Sequence, residues 1–79
     1  MKSFKLYSAS ECHLCDLAQG MLEESQAGGS DIAWEKVDIR ANGELNERYG
    51  LSIPVLAHPD ARELGWPFSP AQLRRFLAS

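Results

Sequence analysis

The chain contains two cysteines, Cys12 and Cys15, which stand three positions apart in a Cys-X-X-Cys arrangement. A disulfide between them would close a very short loop, which constrains little of the unfolded chain and adds little stability. The spacing therefore favours chemistry over a structural cross-link. Thiols this close in sequence can exchange with a disulfide, and they can also supply two of the four ligands of a zinc or iron–sulfur site.

The position of the pair favours a redox function. A predicted strand precedes Cys12, and the apolar periodicity of a helix begins directly after it, so both cysteines fall at a helix N-terminus. Free backbone N–H groups and the positive end of the helix dipole stabilise a thiolate at that place. We therefore expect Cys12 to be the nucleophile and Cys15, nearly one turn further on, to resolve the mixed disulfide formed at Cys12.

Two residues next to Cys12 are expected to shift the reduction potential of the cysteine pair in opposite directions. His13, when protonated, would stabilise the thiolate and make the disulfide more oxidising. The carboxylate of Glu11 directly precedes Cys12 and would have the reverse effect. We expect His13 to be an exposed residue that tunes the pair modestly rather than a catalytic base.

The elements of the first half place this motif between two strands. Residues 4–7 alternate apolar and polar side chains, which predicts a short strand. Residues 13–26 have the apolar period of an amphipathic helix, in which Gly20 favours a close helix–sheet contact. Its apolar face is predicted to comprise Leu14, Leu17, Ala18, Met21 and Leu22. Residues 32–38 predict a second strand, so the half forms a right-handed βαβ unit with parallel strands.

The second half predicts a short helix, a hairpin and a final helix. Asn42 is predicted to cap the short helix, and Gly50 to end it in a left-handed turn. Residues 53–58 predict an apolar strand with a proline near its start. After a turn, residues 62–64 are predicted to form an antiparallel return strand. Ser69, followed by proline and with glutamine three positions on, is a strong helix start.

Composition and charge narrow the class of protein. The 79 residues suffice for one domain, residues 1–79, and not for a second core. A formal net charge of −3 argues against nucleic acid as a partner. No apolar run approaches the ~20 residues that cross a bilayer, and the first residues lack the apolar segment of a secretory signal. We therefore expect a monomeric cytoplasmic protein without a membrane partner.

Taken together, these segments resemble the glutaredoxin-like proteins of the thioredoxin-fold superfamily, in particular the small bacterial ones catalogued as a domain of unknown function. The resemblance covers essentially the whole chain. It is carried by Leu6-Tyr7-Ser8, Cys12-His13-Leu14-Cys15, Tyr49-Gly50, Ile53-Pro54-Val55 and Gly65-Trp66-Pro67-Phe68-Ser69. It implies an α/β fold, β-α-β-α-β-β-α, with a four-stranded mixed sheet flanked by helices. The implied activity is that of a thiol–disulfide oxidoreductase acting on protein or small-molecule disulfides.

The resemblance also implies a substrate site beside the cysteines. Pro54 matches a proline that is cis in the family and faces the cysteine pair. The backbone of Ile53 is implied to pair with an incoming cysteine-containing peptide as a neighbouring strand would. Trp66 either belongs to the core or forms, with Phe68, an apolar rim suited to a protein partner. The sequence leaves both interpretations open.

In three places the chain departs from the usual glutaredoxin pattern. His13 and Leu14 replace the Pro-Tyr pair between the cysteines, so they are expected to tune the site. Ala9 stands where a lysine usually contacts the glycine carboxylate of glutathione. A Gly-Trp step and then Ser69 stand where Gly-Gly and an aspartate usually hold the γ-glutamyl end. We therefore expect glutathione to be a poor ligand, although its binding is possible, and we expect no bound cofactor to be required.

Two other functions are compatible with the sequence. The cysteine pair could bind zinc or an iron–sulfur cluster, but one chain offers only two cysteines and two histidines. Such a site would need a dimer or glutathione as co-ligand. The fold could also serve as a redox-inactive binding module. The more distant histidine, His58, is expected to lie at the surface near the hairpin turn.

Overall fold

The computed structural model describes residues 2–79 and has the predicted element order. The elements are β1 (Lys2–Ser8), α1 (His13–Ala27), β2 (Ile32–Asp38), a 3-10 turn (Ile39–Ala41), α2 (Gly43–Tyr49), β3 (Val55–Ala57), β4 (Glu63–Gly65) and α3 (Pro70–Ala78). The α/β class and the order β-α-β-α-β-β-α are therefore confirmed. None of the helices within the described residues has the length and apolar character to cross a membrane.

The four strands form one mixed sheet in the order β2-β1-β3-β4. β1 and β2 run parallel along their whole lengths, as expected of strands joined by a helix. β3 pairs antiparallel with β1, with Val55 opposite Tyr7, and β4 pairs antiparallel with β3. The end of β1, the N-terminus of α1 and the start of β3 therefore meet at one end of the sheet.

The main core lies between one face of the sheet and helices α1 and α3. Every second residue of β1 is buried on this face, which is the period of a strand with one covered side. The buried cluster consists of Phe4, Leu6, Ala18, Leu22, Ile32, Leu56, Phe68, Leu73 and Leu77. A smaller cluster on the opposite face packs α2 against the sheet and consists of Ala9, Ile39, Tyr49 and Val55.

The capping residues predicted for α2 and α3 make the expected hydrogen bonds. The Asn42 side-chain oxygen accepts the N–H groups of the first turn of α2. At α3, Ser69 Oγ accepts the N–H of Gln72 at 3.1 Å, and Gln72 Oε1 accepts the N–H of Ser69 at 2.8 Å. Pro70 occupies the first helical position. This reciprocal capping box fixes the start of α3 beside the end of the hairpin.

The buried face of α1 is rotated relative to the prediction. Its buried residues are Cys15, Ala18 and Leu22, whereas Leu14 and Leu17 are 43% and 46% exposed. The apolar periodicity could not distinguish the two faces, because Leu14 and Leu17 lie on one face of the helix and the buried Cys15 lies on the other. The contact expected at Gly20 was also wrong, since no atom outside its own stretch of helix backbone lies within 4 Å of where its Cβ would stand.

Gly50 does not end α2 in the left-handed conformation that the sequence predicts. Its φ and ψ are −48° and −33°, which any residue adopts. Glycine is favoured there for a steric reason, because a Cβ would lie 2.5 Å from the carbonyl oxygen of Asn46. The next strand is also shorter than predicted: β3 begins at Val55, after a proline that cannot donate to the ladder.

His58 is buried, and its predicted surface position is wrong. The ring packs edge-on against Phe4 and Phe76, with centroid distances of 5.0 and 5.4 Å. Its Nδ1 accepts the N–H of Asp60 at 3.1 Å, and its Nε2 lies 2.7 Å from the Ser79 backbone oxygen. The polar ring atoms are thus satisfied while the ring fills space between β1 and α3, which local turn chemistry does not reveal.

Candidate active site

Cys12 and Cys15 are joined by a disulfide at the N-terminus of α1, with their Cα atoms 5.2 Å apart. Cys12 is the N-cap residue of the helix, and its Sγ accepts the backbone N–H of Cys15 at 3.2 Å. The first turn therefore directs a hydrogen-bond donor at the sulfur of Cys12. This is the arrangement that stabilises a thiolate at a helix N-terminus.

The two cysteines differ in their access to solvent. Cys15 is fully buried on the inner stripe of α1, whereas Cys12 is half-buried at the helix start. A disulfide approaching from solution can therefore reach the sulfur of Cys12, while the sulfur of Cys15 is shielded by the fold. The two cysteines thus differ in exposure, and the roles predicted for them, nucleophile for Cys12 and resolving thiol for Cys15, stay predictions.

The residues on either side of Cys12 are exposed. Glu11, which precedes it, has a φ of 59°, a conformation that side-chain-bearing residues avoid at a cost of roughly 1–2 kcal/mol. His13 and Leu14 follow it on the outer face of α1, and Leu17 adds apolar surface one turn on. Leu17 is not among the predicted site residues. Its three-residue spacing from Leu14 would have indicated it, had the inward position of Cys15 been recognised.

Ile53 and Pro54 lie at the same end of the sheet as the disulfide. The Ile53–Pro54 peptide bond is cis, and Pro54 is fully buried. Ile53 is half-buried and packs against the smaller core cluster. Within residues 2–79 neither backbone group of Ile53 makes a hydrogen bond outside the regular elements. The segment before β3 thus offers an unpaired backbone edge at the end of the sheet where α1 begins.

Trp66 is held directly against this segment. Its backbone N–H donates to the carbonyl oxygen of Pro54 at 3.2 Å. Its half-buried side chain packs edge-on against Phe68, with ring centroids 5.1 Å apart. Phe68 itself belongs to the main core. The structure therefore places Phe68 inside, and it leaves Trp66 spanning the core and the surface near the predicted site.

A polar cluster that local sequence patterns do not predict lies on the α2 side of the sheet. The hydroxyl of buried Tyr49 donates a hydrogen bond to the Glu63 carboxylate, and the ring of Tyr49 stacks on Tyr7. Arg48 lies 3.9 Å from the same carboxylate. Burial, followed by the hydrogen bond and the charge of Glu63, raises the pKa of Tyr49 to about 12. The cluster ties α2 to the edge strand β4.

Different residues occupy the two positions that the resemblance to glutaredoxins matches to glutathione-binding residues. Ala9 is buried in the smaller core cluster and has no charge to offer. The Ser69 hydroxyl is already bonded to the N–H of Gln72 at the start of α3. Among the described residues, no group of three or more His, Cys, Asp or Glu side chains is arranged to hold a metal ion.

Comparison with known proteins identifies the family. A family model, the glutaredoxin-like domain (DUF836), matches residues 4–78. The chain belongs to this family. Among solved structures, the glutaredoxin-like chain is similar to the structural-genomics target XcR50 from X. campestris, with 41% identity and a TM-score of 0.82 over 95% of both chains in the X-ray structure. The solution structure of XcR50 gives a TM-score of 0.80, covering 99% of this chain and 94% of that one.

More distant structures establish the wider fold. Reduced desulfothioredoxin from Desulfovibrio vulgaris Hildenborough is 20% identical, with a TM-score of 0.72 over 98% of this chain and 79% of that one. Oxidised mitochondrial thioredoxin 3 from Saccharomyces cerevisiae is 17% identical, with a TM-score of 0.68 over 98% and 76%. The glutaredoxin-like domain therefore has the thioredoxin fold. A search of curated proteins finds no match.

Proposed function

We propose that this glutaredoxin-like protein is a thiol–disulfide oxidoreductase that works by dithiol–disulfide exchange. The observation that carries the proposal is the asymmetry of the disulfide. The sulfur of half-buried Cys12 receives a backbone N–H from the first turn of α1, and its partner Cys15 is fully buried. One accessible, stabilised sulfur and one shielded sulfur are what a two-step exchange requires.

In the reducing direction, the Cys12 thiolate attacks one sulfur of a target disulfide, whose S–S bond breaks. The first target sulfur leaves and takes up a proton. The Cys15 thiol gives its proton to solvent, and its sulfur attacks Sγ of Cys12, which releases the second target sulfur as a thiol. Two electrons pass from the protein to the target, and the Cys12–Cys15 disulfide is the oxidised product. Oxidation of a target dithiol follows the same steps in reverse.

The segment before β3 supports a substrate with extended backbone. The unpaired backbone of Ile53 can accept such a segment as an added strand at the end of the sheet where α1 begins. Exposed Leu14 and half-buried Trp66 add apolar surface that a protein substrate could contact. We infer a disulfide-bonded protein or a small disulfide as the target, with a single copy of the chain as the working unit and the cytoplasm as its location.

Glutathione is inferred to be a weak ligand. The N–H groups of Ser69 and Gln72 are already paired in the capping box, and Pro70 has none, so the start of α3 offers little to a carboxylate. The buried Ala9 offers no charge. The protein itself carries the reactive sulfurs, so the proposal requires no bound cofactor.

Single-cysteine variants test the assignment. Cys12→Ser should abolish reduction of a chromogenic aromatic disulfide and of a disulfide-bonded test protein. Cys15→Ser should react once and stop as a mixed disulfide on Cys12, which intact mass identifies. Full activity of Cys12→Ser would contradict the assigned roles. Visible absorbance of a metal cluster in freshly purified protein, together with no exchange, would overturn the proposal in favour of metal binding.

A further inference from the structure

The hydroxyl of Ser8 is buried without a partner. Among the buried side-chain nitrogen and oxygen atoms of residues 2–79, Ser8 Oγ is the one that makes no hydrogen bond. Ser8 is fully buried and is the last residue of β1, four positions before Cys12. Keeping a hydroxyl in the interior without a partner is unfavourable. A state of the protein that provides a partner for this hydroxyl would therefore be stabilised relative to the oxidised one.

The topology brings Ser8 and Cys15 to the same end of the sheet. Ser8 shares its face of β1 with Leu6, and this face packs against the stripe of α1 that contains Ala18. The short loop between β1 and α1 turns the chain back, so the first turn of the helix lies over the end of the strand. Cys15 is the member of the buried stripe in that first turn. Cys15 and Ser8, both fully buried, are thus brought by this topology to the same end of the interface between α1 and the sheet.

We propose that Ser8 is a positioning residue for Cys15, whose sulfur accepts a hydrogen bond from the Ser8 hydroxyl in the reduced protein. The inference rests on the proposed function, since it concerns the dithiol form of the same pair. A sulfur bonded in a disulfide is a weak acceptor, whereas a thiolate is a strong one. Reduction therefore frees the Cys15 sulfur, which becomes a strong acceptor for the Ser8 hydroxyl when the Cys15 thiol loses its proton.

The hydrogen bond has two consequences for exchange. It stabilises the dithiol form relative to the disulfide, which makes the couple more oxidising. It also raises the fraction of Cys15 present as thiolate, the form that attacks Sγ of Cys12 and displaces the target thiolate. Ser8 exchanges no proton in this step. Its bond to Cys15 is released as the sulfur becomes part of the disulfide.

The first test compares Ser8→Ala with the wild-type chain and with Ser10→Ala, which removes an exposed hydroxyl from the same loop. Each protein is equilibrated in graded glutathione buffers, and the dithiol and disulfide species are counted by mass. Ser8→Ala should shift the equilibrium constant about tenfold toward the disulfide, which makes the potential about 30 mV more negative. Ser10→Ala should match the wild type. A Ser8→Ala constant within twofold of the wild-type value would overturn the proposal.

A second test separates this role from simple packing. The proposal expects Ser8→Ala to raise the urea midpoint of the oxidised protein, because it removes an unpaired hydroxyl, and to lower that of the reduced protein. Shifts in the same direction in both forms would assign Ser8 to packing alone. Ser8→Thr, which keeps a hydroxyl, should retain the wild-type potential. If it shifts the potential as Ser8→Ala does, the hydroxyl is not responsible.

These readouts do not depend on turnover. If the wild-type chain forms the internal disulfide but reduces no target, the proposed function fails, and the Ser8 effect can still be read from the potential. If turnover persists and the potential of Ser8→Ala is unchanged, the inference about Ser8 fails by itself. A kinetic measurement adds a check. The rate at which Cys15 displaces a chromogenic thiol from a mixed disulfide at Cys12 depends on pH, and Ser8→Ala should move this dependence to higher pH.

Discussion

Replacement of Cys12 in the reduced protein tests whether the first turn of α1 stabilises a negative group at this position. Cys12 Sγ accepts the N–H of Cys15 at 3.2 Å as the helix N-cap. Serine can place an oxygen at the same point, and alanine cannot. Loss of an N-cap acceptor costs about 1 kcal/mol, so we expect Cys12→Ala to be less stable than Cys12→Ser by about this amount.

Cys12→Asp adds a charge to the acceptor and is the closest mimic of the thiolate. A carboxylate in the first turn gains roughly 0.3–1 kcal/mol from the helix dipole. Two carboxylates repel this added charge, Glu11 before the helix and Asp16 in its first turn. We therefore expect Cys12→Asp to be more stable than Cys12→Ser by an amount near the lower end of that range. The expected order of stability is Cys12→Asp, then Cys12→Ser, then Cys12→Ala.

Urea unfolding under reducing conditions measures these differences, provided that the slope with denaturant is the same for all variants. In a domain of this size, about 1 kcal/mol corresponds to a shift of roughly 4–8 °C in melting temperature. Ser10→Ala, an exposed change in the same loop, should stay within about 0.5 kcal/mol of the wild type. Equal stability of the three Cys12 variants would refute the reasoning that this turn stabilises a thiolate.

Three further predictions concern stability away from the cysteine pair. The pKa of Tyr49 is raised from 10.0 to about 12, so its neutral form contributes stability that is complete below pH 10 and is lost as the pH rises through this window. Urea unfolding should show Tyr49→Phe to be less stable than wild type by about 1.5–3 kcal/mol at neutral pH, through loss of the bond to Glu63, and to lack that alkaline decline. Thermal unfolding should show Gly20→Ala to be more stable by up to ~1 kcal/mol, because its Cβ meets no atom within 4 Å outside its own stretch of helix backbone. Gly50→Ala should be less stable by roughly 1–3 kcal/mol, because its Cβ would stand 2.5 Å from the Asn46 oxygen.

The element order was predictable because its signals are local. Strand alternation, the helical period after Cys12 and the capping residues Asn42 and Ser69 each lie within a few positions of the element they define. The spacing of the cysteines and their place at a helix start are local in the same sense. The assignment of Ile53 and Pro54 to the site came instead from the family resemblance, since nothing in their own segment points to the cysteines.

The parts that could not be predicted depend on distant contacts. Tyr49 and Glu63 meet across 14 positions, and His58 is buried because Phe76 and Ser79 of the α3 region close over it. The inward position of Cys15 likewise depends on how α1 sits on the sheet. The apolar period places Leu14 and Leu17 inside as readily as Ala18, and only packing against β1 decides between the two faces.

The central claim, that Cys12 and Cys15 form a reversible redox couple, is tested most directly by equilibrating the wild-type protein in graded glutathione buffers. Intact mass then counts the dithiol, the internal disulfide and any glutathione adduct. We expect an internal disulfide that titrates between about −270 and −200 mV, the range of thioredoxin- and glutaredoxin-type couples, with little adduct. If no internal disulfide forms at any poise, the account of a dithiol–disulfide oxidoreductase is wrong.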